Sequence, residues 1–335
     1  MSKNRALVTG GCGFIGSNLV HRLVSEGWRV DVVDDMSNGN IEFLEGLNIK
    51  VVLGFVLGQY ERNYEKDRED SLVLVIQSDI EDKGVASRIS SGFYDRVFHL
   101  AANPRVSESV EKPAATTDVN CTRTLSLLEA VRECKTPVRF IFSSTCALYG
   151  NVESLPVNET QPANPASPYG LQKRFVEEYI RISHELHGVD GVSLRYFNVY
   201  GPRQVASSAY ATAITAWCNR VKEGSSLRSD GDGEQSRDLV FVDDVVNANL
   251  LAATREEGFS GETINIGSGK RYTNNQILGM FRERFGNVEV TTAPARPGDV
   301  RHTLADIGLA KELLGYEPKT QFTEGLAKTW QWWGL

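Results

Sequence analysis

Tyr169 and Lys173 stand four residues apart on a stretch that opens with Ser167-Pro168. A hydroxyl cap followed by proline is how a helix starts. Four residues is about one helical turn, so the phenol and the ammonium share a face. A free phenol, with a pKa of about 10, is a poor base at neutral pH. A cation one turn away favours its ionised form. Ser143-Ser144-Thr145 closes the apolar run Val138-Arg139-Phe140-Ile141-Phe142, which reads as a buried strand. A hydroxyl from Thr145 or Ser144 can hydrogen-bond an alcohol oxygen while its proton moves. Together these residue types suit acid–base support of hydride transfer at an alcohol carbon. Tyr-x-x-x-Lys alone arises on ordinary helices, so its weight comes from what precedes it in the chain.

What precedes it is a turn suited to a diphosphate. Arg5-Ala6-Leu7-Val8 reads as a short strand, and Ser17 to Ser25 as a helix with Leu19, Val20, Leu23 and Val24 at helical spacing. Between them lies Thr9-Gly10-Gly11-Cys12-Gly13-Phe14-Ile15-Gly16. A glycine-rich turn entering a helix aims backbone N–H groups and the positive end of the helix dipole at one spot. Gly10, Gly13 and Gly16 allow a tight turn, close approach of a ligand and close helix–strand packing. Their Gly-x-x-Gly-x-x-Gly spacing is one residue wider at the first gap than the usual dinucleotide fingerprint. A second strand, Val30 to Val33, ends at Asp34-Asp35. An acid there accepts from a ribose diol and repels a 2′-phosphate, which favours NAD over NADP. Asn38 lies in the loop that follows.

The remaining elements must position these groups. A third strand, Leu72 to Ile76, ends near Asp79-Ile80. Before it, Tyr60 to Asp70 is almost entirely polar and reads as a solvated insertion. A fourth strand, Arg96 to Leu100, is followed by the small residues Ala101-Ala102 and Asn103. A long helix follows from about Thr116 to Cys134, with Val119, Leu127, Leu128 and Val131 on an apolar face. Another strand, Gly191 to Arg195, leads to Tyr196-Phe197-Asn198. Strands alternating with helices predict an α/β fold, a Rossmann-type doubly wound parallel sheet. Ligands of such sheets bind beyond the C-terminal strand ends, where every motif above falls. Past residue 196 the pattern is less regular. Short helices and the strand Thr263 to Ile266 suggest a smaller C-terminal α/β lobe.

The chain has 335 residues and a formal charge of −7. That acidic balance argues against a nucleic-acid groove or a membrane-surface role. No apolar run is long enough to span a bilayer, and Met1 to Arg5 leads straight into the first strand without a secretory leader. The five cysteines show no metal-ligand spacing, and His184 and His187 lack a third ligand nearby. No metal is expected, and reduced thiols suit a cytoplasmic protein.

Taken in order, these motifs resemble the extended short-chain dehydrogenase/reductase family, and within it the nucleotide-sugar 4-epimerases. The likeness runs on through Gly201-Pro202-Arg203-Gln204, Gly231-Asp232-Gly233, Arg237-Asp238, Val242-Asp243-Asp244, Asn265-Ile266-Gly267 and Arg296-Pro297-Gly298-Asp299. It implies tightly held NAD and a UDP-sugar substrate. Tyr169 would take the proton of the sugar 4-hydroxyl, and the 4-keto sugar would turn over before the hydride returns. Cofactor contacts would come from Gly10, Gly13, Phe14, Ile15, Gly16, Asp34, Asn38, Asp79, Ile80, Leu100, Ala101, Ala102, Asn120, Ser143, Tyr169, Lys173 and Tyr196. Substrate contacts would come from Ser144, Thr145, Asn198, Gln204, Arg237, Arg296, Asp299 and Thr303.

The resemblance divides the chain into a Rossmann domain, 1–196, and a nucleotide-sugar lobe, 197–335. A segment of about 238–258 is expected to pack back onto the former. It also implies a homodimer paired through a four-helix bundle by the helices near Thr116–Cys134 and Pro168–His187. Sugar 4,6-dehydratases carry Asp-Glu directly after the threonine, and nucleotide-sugar decarboxylases a Glu at the second position. Here Cys146 and Ala147 stand there, which removes the acid for elimination or decarboxylation. Small Thr303, beside the sugar's C2 substituent, predicts room for an N-acetyl group as well as a hydroxyl. A UDP-uronic acid epimerase and an NAD-binding regulatory or scaffold protein are the competing readings.

Overall fold

The computed structural model describes residues 4–54, 73–152, 154–205, 212–295 and 300–335. The polar stretch Tyr60 to Asp70, and with it Arg296 and Asp299, lies outside them. In chain order the strands are β1 (Arg5–Thr9), β2 (Arg29–Asp34), β3 (Ile49–Leu53), β4 (Val73–Gln77), β5 (Arg96–His99), β6 (Arg139–Thr145), β7 (Gly191–Tyr196), β8 (Asn198–Tyr200), β9 (Leu227–Asp230), β10 (Ser236–Phe241), β11 (Ser260–Ile266), β12 (Arg271–Thr273) and β13 (Val290–Ala293).

Eight of them form one parallel sheet in the order β11-β7-β6-β5-β1-β2-β4-β3. Successive side chains of a strand face opposite ways, so a sheet covered on both faces reads as a continuous apolar run. β1 shows this: Ala6 and Val8 pack on the same side as Leu19 and Leu23 of the helix Phe14–Ser25, with Val245 of the helix Val242–Thr254. Leu7 packs on the other side with Ile89, Leu127, Val176 and Ile180.

Three expectations need correction. The strand expected third is β4; the edge strand β3, with Val51 and Leu53 exposed, lies outside it. Its half-exposed sequence lacks the all-apolar signature of a buried strand. The strand Thr263 to Ile266 belongs not to the smaller lobe but to β11, which pairs in parallel with β7. Chain returning to the main sheet therefore extends to Ile266, past the expected 258. The long helix is continuous but contains a π-type turn over Asp118–Thr122 between Pro113–Thr117 and Arg123–Glu133. Such a turn inserts an extra residue into the helical ladder. Leu127, Leu128 and Val131 stay in the core, whereas Val119 faces the cavity described below.

The smaller lobe holds the sheets β12-β10-β8 and β13-β9. Trp217, Phe281, Leu326 and Trp330 fill its core. β8 follows β7 after one residue, so the lobe is set directly beside the C-terminal edge of the main sheet.

Candidate active site

A cavity of about 940 Å³ lies across the C-terminal ends of β1, β2, β4, β5, β6 and β7, near the upper end of the size range of small-molecule sites. The glycine turn forms part of its floor. Gly10 has φ +69°, and a Cβ there would meet Ala101 N at 2.8 Å. A Cβ on Gly16 would lie 2.1 Å from Gly10 O and 2.8 Å from Gly11 Cα, which are backbone atoms that cannot step aside. Gly13 is the N-cap of the helix Phe14–Ser25 and offers no side-chain acceptor, so the first-turn N–H groups are available to an anion. Asp34 is buried at the end of β2 and accepts from Cys12 N and Met36 N, both at 2.9 Å. A carboxylate has about four acceptor positions, which leaves two for a diol. Burial, with Asp35 adding, holds the Asp34 carboxyl above its ordinary value, and the two backbone donors only partly oppose the rise. These residues fit a dinucleotide with a free ribose diol, as NAD has.

Thr145 ends β6, and Tyr169 and Lys173 lie in the first turns of the helix Pro168–His187, whose Ser167 cap accepts from Gly170 N. All three line the cavity. Thr145 and Tyr169 are hydrogen-bonded through their hydroxyls. Lys173 Nζ donates to Ser143 O at 2.8 Å and lies 6.0 Å from the centre of the Tyr169 ring. Burial lowers the Lys173 pKa from 10.5 to about 8, with Cys121 and Glu177 opposing. The expected lowering of the phenol is not what the protein alone produces. Burial raises Tyr169 above its ordinary value, Cys146 adds to the rise, and the Thr145 hydrogen bond opposes both. The ammonium is turned toward the Ser143 carbonyl, so its pull on the phenol does not overcome burial. Cys146 is also in the cavity; burial pushes its thiol up to about 12, so it stays protonated and unreactive.

Ser144 does not share the role of Thr145. Its hydroxyl donates to Glu177 Oε1 at 2.6 Å, and Arg195 holds the same carboxylate through Nε at 2.9 Å and Nη2 at 2.7 Å. Glu177 and Arg195 are both buried. The order Tyr169, Lys173, Glu177 at one-turn intervals was legible, yet the pairing with Arg195 depends on β7 and was not foreseen.

Gly10, Gly13, Phe14, Ile15, Gly16, Asp34, Asn38, Asp79, Ile80, Leu100, Ala101, Ala102, Ser143, Tyr196, Asn198 and Gln204 line the cavity. Asn120 does not. It is buried in the π-type turn, accepts from Asn103 N at 2.7 Å and donates to Gln172 Oε1 at 2.7 Å, so it braces the loop that does. Gln204 carries less free hydrogen-bonding capacity than expected: its Oε1 accepts from Thr215 at 2.5 Å, and Nε2 donates to Val199 O at 3.1 Å. Thr303 stands one layer behind the cavity and donates to Asn198 Oδ1 at 3.3 Å. Arg237 is likewise outside the lining and reaches Ser236 O and Arg301 O. Three arginines assigned no contact from the sequence do line it: Arg105, Arg123 and Arg203, the last noted there only as part of the Gly201–Gln204 motif. Arg123 pairs with Asp79 and Asp118, and Arg203, at φ +70°, donates to Asn18 Oδ1 at 2.6 Å.

Comparison with known proteins agrees with this geometry. The family pattern described as GDP-mannose 4,6 dehydratase matches residues 7–329. The putative UDP-glucose 4-epimerase of Methanocaldococcus jannaschii is 33% identical over 327 residues, 97% of either chain. The UDP-N-acetylglucosamine 4-epimerase of Methanobrevibacter ruminantium, solved with UDP-N-acetylmuramic acid, superposes with a TM-score of 0.86 at 33% identity, covering 99% of this chain and 98% of that one. The UDP-glucose 4-epimerase of Thermus thermophilus, solved with NAD, gives 0.81 at 33% identity, covering 98% and 99%. With the match running almost from end to end and the cavity at the strand ends where such a fold binds its ligands, the chain belongs to the GDP-mannose 4,6-dehydratase-like branch of the extended short-chain dehydrogenase/reductase family.

Proposed function

We propose that this chain interconverts the 4-epimers of a UDP-sugar with NAD as its bound cofactor. One observation carries the reading. Thr145, Tyr169 and Lys173 meet at the strand ends, while Cys146 and Ala147 stand where elimination would need a carboxylate. Among the described residues, the acids that line the cavity, Asp34, Asp35, Asp79 and Glu108, lie at or after the ends of β2, β4 and β5 in the dinucleotide half. A tyrosine acting without such a carboxylate can assist oxidation and re-reduction of an alcohol, but it leaves the neighbouring carbons alone. That separates the chain from the 4,6-dehydratases for which its family is named.

When bound, NAD would supply the site with a reversible hydride acceptor. The first turn after Gly13 holds the diphosphate, Asp34 the ribose diol, and Asp79 with Ile80 the adenine. Tyr169 removes the proton of the sugar 4-hydroxyl and later restores it to the same oxygen. The Thr145 hydroxyl donates to that oxygen while it carries charge. Lys173, protonated below pH about 8, favours the phenolate. Asn198 holds the substrate from β8. Tyr169→Phe keeps the packing and deletes the hydroxyl; turnover should fall at least roughly a hundredfold. Near-normal turnover would remove Tyr169 from this role.

A neutral hexose or N-acetylhexosamine is favoured over a uronate. Among the described residues the cavity-lining arginines are all engaged: Arg105 by Asn38, Arg123 by Asp79 and Asp118, Arg203 by Asn18. A sugar carboxylate would have to displace one of them.

A homodimer is supported by the helix Pro168–His187, which exposes Leu171, Phe175, Ile182 and Leu186 along one face. Such a stripe on a 20-residue helix suits a second copy. The apolar face expected on the other helix is turned into its own core instead. Sedimentation at micromolar concentration tests this, and a monomer would refute it. Five free thiols suit a reducing, cytoplasmic setting.

A further inference from the structure

Asn38 and Arg105 come from loops that follow different strands, β2 and β5, and both line the cavity. Arg105 Nη2 donates to Asn38 Oδ1 at 2.9 Å. In the sheet the order is β5-β1-β2. A bond from the loop after β5 to the loop after β2 therefore crosses the end of β1, where the glycine turn lies. The Arg105 side of this bridge has a firm base. Arg105 N donates to Asn103 Oδ1 at 3.2 Å, Asn103 N to Asn120 Oδ1 at 2.7 Å, and Asn120 Nδ2 to Gln172 Oε1 at 2.7 Å. Gln172 is next to Lys173 on the helix that carries Tyr169. Glu108, another cavity residue, lies 3.7 Å from the Arg105 guanidinium on the same side.

We propose that the Arg105–Asn38 contact is a clasp across the glycine turn that slows exchange of the bound dinucleotide. The proposal rests on the NAD reading above. An epimerase must return the hydride it removed, so escape of reduced cofactor in mid-cycle would strand an oxidised sugar. A clasp fits that need. It is only partly buried, with the Arg105 side chain 39% exposed, so it can open for loading.

The test follows cofactor release, without turnover. The protein is loaded with NADH and chased with excess NAD, and the loss of bound NADH fluorescence gives the dissociation rate. Arg105→Ala and Asn38→Ala should each speed release by about fivefold, the scale for a partly exposed charged contact. The double variant should release no faster than the faster single one, since each change removes the same contact. Neither side chain belongs to the core, so the fold should survive both. If the two effects multiply, each residue acts separately on the dinucleotide and the clasp is overturned. Unchanged release in Arg105→Ala overturns it too. A wild-type protein that takes up no NADH overturns the cofactor reading and the clasp with it.

Discussion

Replacing Ser144 and Thr145 one at a time should separate two adjacent hydroxyls that the sequence leaves equivalent. Ser144 gives its proton to Glu177 at 2.6 Å, inside a buried network closed by Arg195. Turning that proton toward a substrate would break a hydrogen bond to a charged group, at about 1.5–3 kcal/mol. Thr145 accepts from Ala147 N at 3.2 Å and its own proton goes to the uncharged Tyr169 hydroxyl, so turning it to a substrate oxygen gives up only a neutral hydrogen bond. Thr145→Val should therefore lower kcat by about 10²–10³, the scale for one lost donor to a developing oxyanion. Its lost cap should cost only about 1 kcal/mol. Ser144→Ala should show the reverse pattern, with kcat down less than about tenfold and about 1.5–3 kcal/mol of stability lost. At about 2.1 cal/mol/K per residue, the unfolding entropy of this chain is about 0.7 kcal/mol/K. Ser144→Ala should then lower Tm by about 2–4 °C. Initial rates with a UDP-sugar and a thermal scan of each variant decide the matter. If Ser144→Ala loses as much kcat as Thr145→Val, the assignment of their protons is wrong.

Three further outcomes follow from the same geometry. With Lys173 active as the cation and its pKa lowered to about 8, kcat/KM should fall as pH rises through about 8; a profile flat to pH 10 would contradict this. Glu177→Gln leaves the Arg195 guanidinium buried without its partner, so stability should drop by about 3–5 kcal/mol. It also removes a charge that supports the Lys173 proton, which should move the alkaline limb to lower pH; an unmoved limb would show that Glu177 acts on the fold alone. Thr303→Tyr should press Asn198 toward the cavity, because Thr303 backs that amide. UDP-N-acetylglucosamine turnover should suffer more than UDP-glucose turnover, and equal loss in steady-state assays of both sugars would refute the placement.

The cofactor end was legible because its signals are local. The glycine turn, Asp34 and the small residues after β5 each follow a strand within a few residues, and strand and turn chemistry read directly from sequence. Tyr169 and Lys173 were legible for the same reason, being fixed by one helix and its cap. Groups joined across the sheet were not. Arg195 meets Glu177 only because β7 lies beside β6, and Arg105 meets Asn38 only because β1 lies between β5 and β2. Asn120 matched a motif, but the π-type turn directs it to Asn103 rather than into the cavity. β11 looked like part of the second lobe because it follows irregular chain, and its pairing with β7 is a long-range event that no local pattern announces. Thr303 shows a subtler limit: position in a motif placed it near the sugar, while the side chain in between, Asn198, comes from another strand.

The most direct test is to mix the purified protein with UDP-glucose and with UDP-N-acetylglucosamine, add no cofactor, and follow the sugar signals by NMR. The account predicts that the 4-epimer of at least one sugar appears until a stable ratio is reached. No 4-keto sugar should accumulate beyond the amount of enzyme, because hydride taken from carbon 4 is returned to it. Conversion that needs stoichiometric NAD and ends in an oxidised sugar, or loss of water to a 6-deoxy product, would contradict it.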